Sequence, residues 1–135
     1  MSFENEERFV KTFIKKSRQE RLLFELTRAD KRYKGLDRFC HNTEDLINKS
    51  KVIMSGTNLS NDPKFIEFIK RHNEICHLMS PDGSFDDRDL LLSDALNELF
   101  YCMDASIVLG KNFAIVTSEA YKNGTMQYVL EDRNN

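Results

Sequence analysis

The spacing of the apolar residues changes along the chain, and this change constrains the fold more than any other feature of the sequence. Near the N-terminus, apolar residues recur at helical intervals, as Val10 and Ile14 do. The last third instead holds short apolar segments separated by turn residues, at 106–109, 113–120 and 125–131. We therefore expect an α+β domain, in which four or five helices pack on one face of a mostly antiparallel sheet that ends in a C-terminal β-meander.

The length and the charge pattern fit a single folded unit. The chain has 135 residues, 40% of them hydrophobic and 31% charged, which is enough to bury a core. We expect one domain over residues 1–135, helical and basic over 1–48, and mixed and acidic over 49–135. Residues 1–72 hold 16 Lys or Arg against 11 Asp or Glu, and residues 73–135 hold 4 against 11. This asymmetry suits a charged protein partner or association into homo-oligomers, and the alternative is that the charges only solvate the helix faces.

The cellular location is predicted from the absence of targeting features. The first residues, MSFENEER, are acidic and contain no apolar stretch typical of a signal peptide. The apolar runs are much shorter than the about 20 residues that a membrane-spanning helix needs, so no membrane association is expected. Three cysteines without a disulfide-framework spacing then favour reduced thiols and a cytoplasmic protein.

Helix boundaries can be predicted from capping residues. Ser17 and Glu20 form a capping box, which predicts that a helix begins at Ser17. Gly35 predicts its end, because glycine adopts the left-handed conformation that follows many helices. Asp62 followed by Pro63 predicts the start of a later helix, with the aspartate as its N-cap.

Residues 86–104 form the longest amphipathic pattern in the chain and predict a central helix. Its apolar positions from Leu91 to Met103 cover a wide face. Asp86, Asp87 and Asp89 would then lie in the first turn, where the helix dipole favours negative charge.

The last two strand segments predict a hairpin with a candidate acid. Asn123 and Gly124 are the preferred pair for a two-residue type I′ turn. That turn would pair Glu119 with Tyr128 and place the carboxylate among large apolar side chains. A buried carboxyl group has a raised pKa and can serve as a general acid or base. The alternative is that this face is partly open, or that the strand ends before Glu119.

The dipeptide Cys-His occurs twice in a chain with only three cysteines and three histidines. Adjacent side chains diverge in a helix and point to opposite faces in a strand, so each dipeptide would offer one ligand to a tetrahedral zinc ion. We therefore expect core thiols beside ordinary histidines, and no cofactor. The alternative is a zinc site or a thiol enzyme built from some or all of these groups: Cys40, His41, His72, Cys76, His77 and Cys102.

The sequence favours a non-enzymatic function. It contains no glycine-rich phosphate loop, no H-E-x-x-H and no G-x-S-x-G motif. We expect a small protein-binding domain of the inhibitor, immunity or adaptor type that acts through charged surfaces. One alternative is the Cys/His metal or thiol site, and another is nucleic-acid binding through the basic N-terminal helices. The residues expected to contact a partner are Lys15, Lys16, Lys31, Arg32, Asp86, Asp87 and Asp89.

Overall fold

A computed structural model describes residues 3–120 and 124–133. In this part of the chain, six antiparallel strands form one sheet in the order β1-β6-β5-β4-β2-β3. The predicted α+β fold and the C-terminal meander of β4, β5 and β6 are confirmed. The strands are β1 (Val52–Gly56), β2 (Ile75–Met79), β3 (Arg88–Leu91), β4 (Ser106–Leu109), β5 (Phe113–Ala120) and β6 (Gly124–Glu131).

Six α-helices accompany the sheet in the described ranges. Short 3₁₀ turns at Lys49–Lys51 and Leu59–Asn61 flank β1. None of the described helices is both long and apolar enough to cross a membrane. The helices are α1 (Phe3–Phe13), α2 (Lys16–Leu26), α3 (Ala29–His41), α4 (Thr43–Leu46), α5 (Pro63–Arg71) and α6 (Leu92–Ala95), which continues as a π-helical turn over Leu96–Phe100.

The sheet separates two hydrophobic cores, because successive side chains of a strand point to opposite faces. In β4, Ile107 and Leu109 pack with α1 to α4, whereas Val108 packs with α5, α6 and the π turn. Both faces of the central strands are therefore buried. The expectation of helices on one face only was wrong: the sheet is the middle layer of three.

The chain between α2 and α3 differs from the single helix predicted to run from Ser17 to Gly35. The structure ends α2 at Leu26, begins α3 at Ala29 and carries α3 through Gly35. Gly35 is buried where α3 crosses α2, and a Cβ atom there would lie 2.8 Å from Cβ of Glu25. The glycine thus permits a close helix crossing and does not end a helix.

Residues 86–104 do not form one long helix. Their first part is β3, which pairs with β2 through Leu90 opposite Cys76 and Asp89 opposite His77. The preceding residue, Asp87, has φ of 59°, in the left-handed region that ends helical turns. Helical structure begins only at Leu92. The three aspartates therefore lie in a turn and an edge strand, and the helix dipole does not explain them.

Two of the local features predicted from the sequence are the N-cap of α5 and the hairpin turn at Asn123 and Gly124. Asp62 caps α5 as predicted, since its side chain accepts a hydrogen bond from the Lys64 amide at 2.9 Å. Between β4 and β5, the Gly110 amide donates to the Phe113 carbonyl at 2.8 Å, and a Cβ atom at position 110 would overlap the Phe113 ring. The predicted Asn123-Gly124 turn lies outside the described residues, since Asn123 is not among them.

The register of β5 against β6 overturns the predicted role of Glu119. Glu119 pairs with Thr125, and Tyr128 pairs with Val116. This is a shift of an odd number of positions from the predicted pairing, so every side chain of β6 moves to the opposite face. Glu119 is exposed and is not a buried acid.

Candidate functional site

The structure does not bring the three cysteines and three histidines together. Cys40 lies in the core beneath α1 to α4, Cys76 lies in the core on the other side of the sheet, and Cys102 is exposed. His41, on α3, is therefore separated from Cys76 by the sheet. Both ring nitrogens of His77 contact carboxylates and not a thiol. These positions do not support the zinc site or the Cys–His catalytic pairs of the alternative prediction.

The two buried thiols are chemically protected. Burial raises the pKa of Cys76 to about 12, with a further contribution from the nearby Glu74 carboxylate. Burial also raises the pKa of Cys40, and the charges of Glu119 and Asp37 add to the effect. A thiol that stays protonated is a poor nucleophile and a poor metal ligand.

His77 instead lies at the centre of a buried ion-pair network. Its Nε2 is 2.8 Å from Oε2 of Glu6 on α1, and its Nδ1 is 2.9 Å from Oδ1 of Asp89 on β3. Ionised carboxylates accept hydrogen bonds and do not donate them, so both ring nitrogens must donate. Only the imidazolium form can do so, and the geometry therefore requires a charged histidine whose side chain is 2% exposed.

Arg32 extends the network to a third carboxylate. Its guanidinium bonds both oxygens of Glu6, at 2.6 and 2.7 Å, and both oxygens of Asp86, at 2.6 and 2.9 Å. Asp86 also accepts from the Ser80 amide at 3.1 Å. The network connects α1, α3, β2, β3 and the loop before β3. We name it the acid–imidazole network, and its members are Glu6, Arg32, His77, Asp86 and Asp89.

The pKa shifts follow from these contacts. Burial disfavours the charged form of Glu6, but the hydrogen bonds from Arg32 and His77 outweigh it, and the pKa of Glu6 is lowered. Burial likewise opposes the charge on His77, but Glu6 and Asp89 outweigh it and raise its pKa. The pKa of Arg32 is also raised, despite burial, by Glu6 and Asp86. The contacts therefore favour the charged form of all three groups.

Four members of the network, Arg32, His77, Asp86 and Asp89, were predicted from the sequence as partner contacts or metal ligands. Glu6 was not predicted. The signal for Glu6 was present, because Phe9, Val10 and Phe13 follow it at i+3, i+4 and i+7. A carboxylate at the start of a buried stripe must find a cationic partner when the helix packs. The identity of that partner depends on contacts between residues 26 and 71 positions apart, which periodicity does not reveal.

One group in the described residues has the spacing of metal ligands. Oxygen or nitrogen atoms of Glu6, His77 and Asp87 all lie within 4.8 Å of one another. Asp87 is exposed, and its Oδ1 lies 3.9 Å from Nε2 of His77. A cavity of about 290 Å³ borders this group, and Glu6, Arg32 and Asp87 are part of its lining.

The predicted partner-contacting residues differ in their surroundings. Arg32 and Asp86 are largely buried and bond to one another, whereas Asp89 bonds to His77 with a side chain that is 62% exposed. Lys16 and Lys31 are exposed on α2 and α3, as the prediction required. Lys15 is partly buried, and its amide bonds the Leu46 carbonyl at 2.8 Å. The remaining member, Asp87, belongs to the group with metal-ligand spacing.

The outer surface of α2 and α3 combines positive charge with exposed aromatic rings. The Phe24 ring is 48% exposed, the Arg28 guanidinium carbon lies 4.5 Å from its centroid, and Tyr33 is 61% exposed. Between residues 16 and 34, the exposed acids are Glu20 and Asp30. The exposed cations there are more numerous: Lys16, Arg18, Arg21, Arg28, Lys31 and Lys34. We name the exposed residues of 16–34 the basic face.

No protein-family model, no curated protein and no solved structure matches this chain.

Proposed function

We propose that this protein is a cytoplasmic, non-enzymatic binding domain whose basic face recognises an acidic surface of another protein. The observation that carries the proposal is the Phe24–Arg28 pair, an exposed aromatic ring stacked with a guanidinium group. Aromatic residues and arginine are enriched where protein interfaces bind most tightly. The three cysteines, all free, are consistent with a reducing compartment.

The contact between Phe24 and Arg28 is suited to the centre of a protein–protein interface. Arginine stacked on an aromatic ring gains about 0.5–1 kcal/mol at an exposed site, and it keeps its planar donors available. The pair is therefore partly ordered before a partner arrives, which reduces the entropy lost on binding. Phe24 supplies exposed apolar surface that a partner can bury, and Arg28 supplies hydrogen-bond donors for carboxylates of the partner.

The charge of the basic face indicates the chemical class of its partner. Glu6 and Asp86 are bound to Arg32 in the fold, whereas most exposed charged groups between residues 16 and 34 are cations. A surface of this sign attracts an acidic partner and accelerates association, more so at low salt. Nucleic acid would be attracted by the same charge, but Glu20 and Asp30 within the face and a sequence pI of about 5.9 favour a protein.

The test is site-specific photocrosslinking at Tyr33, inside the basic face, in cells of the source organism. Tyr101 is the matched control, because it is also an exposed tyrosine, 49% accessible, but lies on the opposite side of the sheet. We expect a defined protein to be crosslinked from position 33 and not from position 101. Equal crosslinking from both positions, or a product that nuclease removes, would contradict the proposal.

The captured protein is then purified and its binding measured against charge variants. Arg28→Glu with Lys31→Glu should slow association strongly at low salt and little at high salt. The control, Lys64→Glu with Lys70→Glu, makes the same charge change on exposed positions of α5 and should leave the rate nearly unchanged. Phe24→Ala should weaken binding by about 2 kcal/mol, roughly 30-fold, if the ring is central to the interface.

A further inference from the structure

The group formed by Glu6, His77 and Asp87 has more in common with a metal site than spacing alone. A buried imidazole and two carboxylates are the ligand types that first-row divalent ions such as Zn²⁺ and Mn²⁺ accept. They come from three separate elements, α1, β2 and the loop before β3, so the fold places them together.

The distances fit an ion in place of a proton. Ligands bonded at about 2.0–2.2 Å to one ion lie about 3.3–3.6 Å from one another at the tetrahedral angle. In the structure, Nε2 of His77 is 2.8 Å from Oε2 of Glu6 and 3.9 Å from Oδ1 of Asp87. Shifts of about half an ångström would bring both pairs into that range. The ion would replace the proton that Nε2 now donates to Glu6.

The second nitrogen of the imidazole is held in the way that metal sites require. A ligating histidine almost always donates its other N–H to a carboxylate, a carbonyl or water, which fixes the ring and its tautomer. Here Nδ1 of His77 donates to Oδ1 of Asp89 at 2.9 Å. Asp89 therefore acts as a positioning residue, and Nε2 faces the two other ligands.

Arg32 does not block the ligand atom of Glu6. A carboxylate oxygen has two lone pairs, and Oε2 of Glu6 uses one of them for the guanidinium at 2.7 Å. The other is directed to His77 and is the one that an ion would take. Arg32 thus holds the carboxylate by both of its oxygens, as outer hydrogen bonds do for metal-bound carboxylates.

The surroundings of the three ligands also leave space for the remaining ligands of an ion. The adjoining cavity of about 290 Å³ leaves room for water to complete the coordination shell.

We propose that Glu6, His77 and Asp87 bind one divalent transition-metal ion, with Asp89 orienting the imidazole and solvent filling the open positions. Neither Phe24 nor Arg28 is a ligand of this site, and the proposal does not depend on the proposed function.

Isothermal titration calorimetry with Zn²⁺ and with Mn²⁺ tests the site in the full chain. The protein is first treated with EDTA, and the EDTA is then removed. All proteins carry Cys102→Ser, because an exposed thiol would bind Zn²⁺ by itself. We expect one ion per chain in this background and binding reduced at least 10-fold in Asp87→Asn. Asp94→Asn is the matched control, since it removes one exposed carboxylate elsewhere and should bind as the parent does.

A second variant separates ligation from fold. Asp89→Asn keeps the size of the side chain and should lower the affinity for the ion by about 10–100-fold, the usual effect of removing an orienting carboxylate. Far-UV circular dichroism and the metal-free melting temperature check that each variant is folded. Absent binding in the parent, or equal binding by Asp87→Asn and Asp94→Asn, would overturn the proposal.

Discussion

Arg32 shows how strongly one side chain can be constrained by its surroundings. It lies one helical turn before Leu36 on the buried side of α3, and its own side chain is only 19% exposed. A charge in that position requires carboxylates, and the fold supplies two, each bound through both of its oxygens. Lysine would not replace it, because an ammonium group lacks the planar fork that bonds two carboxylates at once.

Replacement of Arg32 should therefore destabilise the whole protein. We expect Arg32→Gln to lower the free energy of unfolding by about 3 kcal/mol, since it leaves Glu6 buried with too few donors. Urea unfolding followed by circular dichroism measures the change. Arg18→Gln, an exposed position on α2, should change stability by less than about 0.5 kcal/mol. Similar losses in the two variants would show that the network contributes nothing beyond surface charge.

The cysteines give a second prediction at this scale. In the folded protein at neutral pH, a thiol reagent such as dithionitrobenzoate should react quickly with one thiol per chain, that of Cys102. Cys102→Ser should abolish this fast phase. All three thiols should react in denaturant. Rapid reaction of Cys76, whose pKa burial raises to about 12, would mean that its core opens easily.

At the scale of the elements, the turn between β4 and β5 depends on one glycine. Gly110→Ala would drive a methyl group into the Phe113 ring, which is itself fully buried. We expect a loss of about 1–3 kcal/mol, the usual effect of overpacking, seen as a lower melting temperature. Gly83→Ala is the matched control, because its Cβ would meet no atom within 4 Å, and it should be neutral or slightly stabilising. Equal effects at the two positions would contradict this account of the turn.

The elements also show where prediction from sequence succeeds. The cap of α5 was predictable because Asp62 bonds an amide only two residues away. The break between α2 and α3 was not predictable. Gly35 lies inside α3 and contacts Glu25 on α2, and this contact between helices is not visible in the local sequence. The strand β3 was taken for a helical turn because its apolar residues fit a helix equally well, and pairing with β2 decided the outcome. Local interactions were predictable, and tertiary ones were not.

At the scale of the molecule, the acid–imidazole network makes stability depend on pH. His77 has a raised pKa, so its contribution is complete below the ordinary pKa of histidine, about 6.5, and is lost as pH rises through the folded value. Glu6 has a lowered pKa, so its contribution is complete above about 4.3, the ordinary pKa of glutamate, and is lost as pH falls through the folded value. Metal-free protein should therefore be most stable between these limits.

Urea midpoints measured in EDTA from pH 5 to 9 test this prediction. The difference between the parent and His77→Gln should shrink above about pH 6.5, with a slope of at most about 1.4 kcal/mol per pH unit. His41 and His72 are present in both proteins, so the difference isolates His77. Parallel curves over this range would show that the imidazole does not carry its charge in the folded state.

The fold class was predictable from the sequence, whereas the layers and the candidate site were only partly so. Helical and strand patterns indicated an α+β domain, but they did not show that residues such as Phe113 and Ile115 face a second set of helices. His77 was identified as a candidate through its neighbour Cys76, yet its partners are carboxylates. A single sequence contains no information on pairs as distant as Glu6 and His77.

The central position of the meander has a consequence for synthesis on the ribosome. The strands that cover α1 to α4 include β5 and β6, and β1 has its partner Leu130 only when β6 has been made. A nascent chain that ends before residue 113 therefore carries amphipathic helices without β5 and β6, two of the strands that bury them. Apolar surface that is exposed in this way favours aggregation until β5 and β6 have been made.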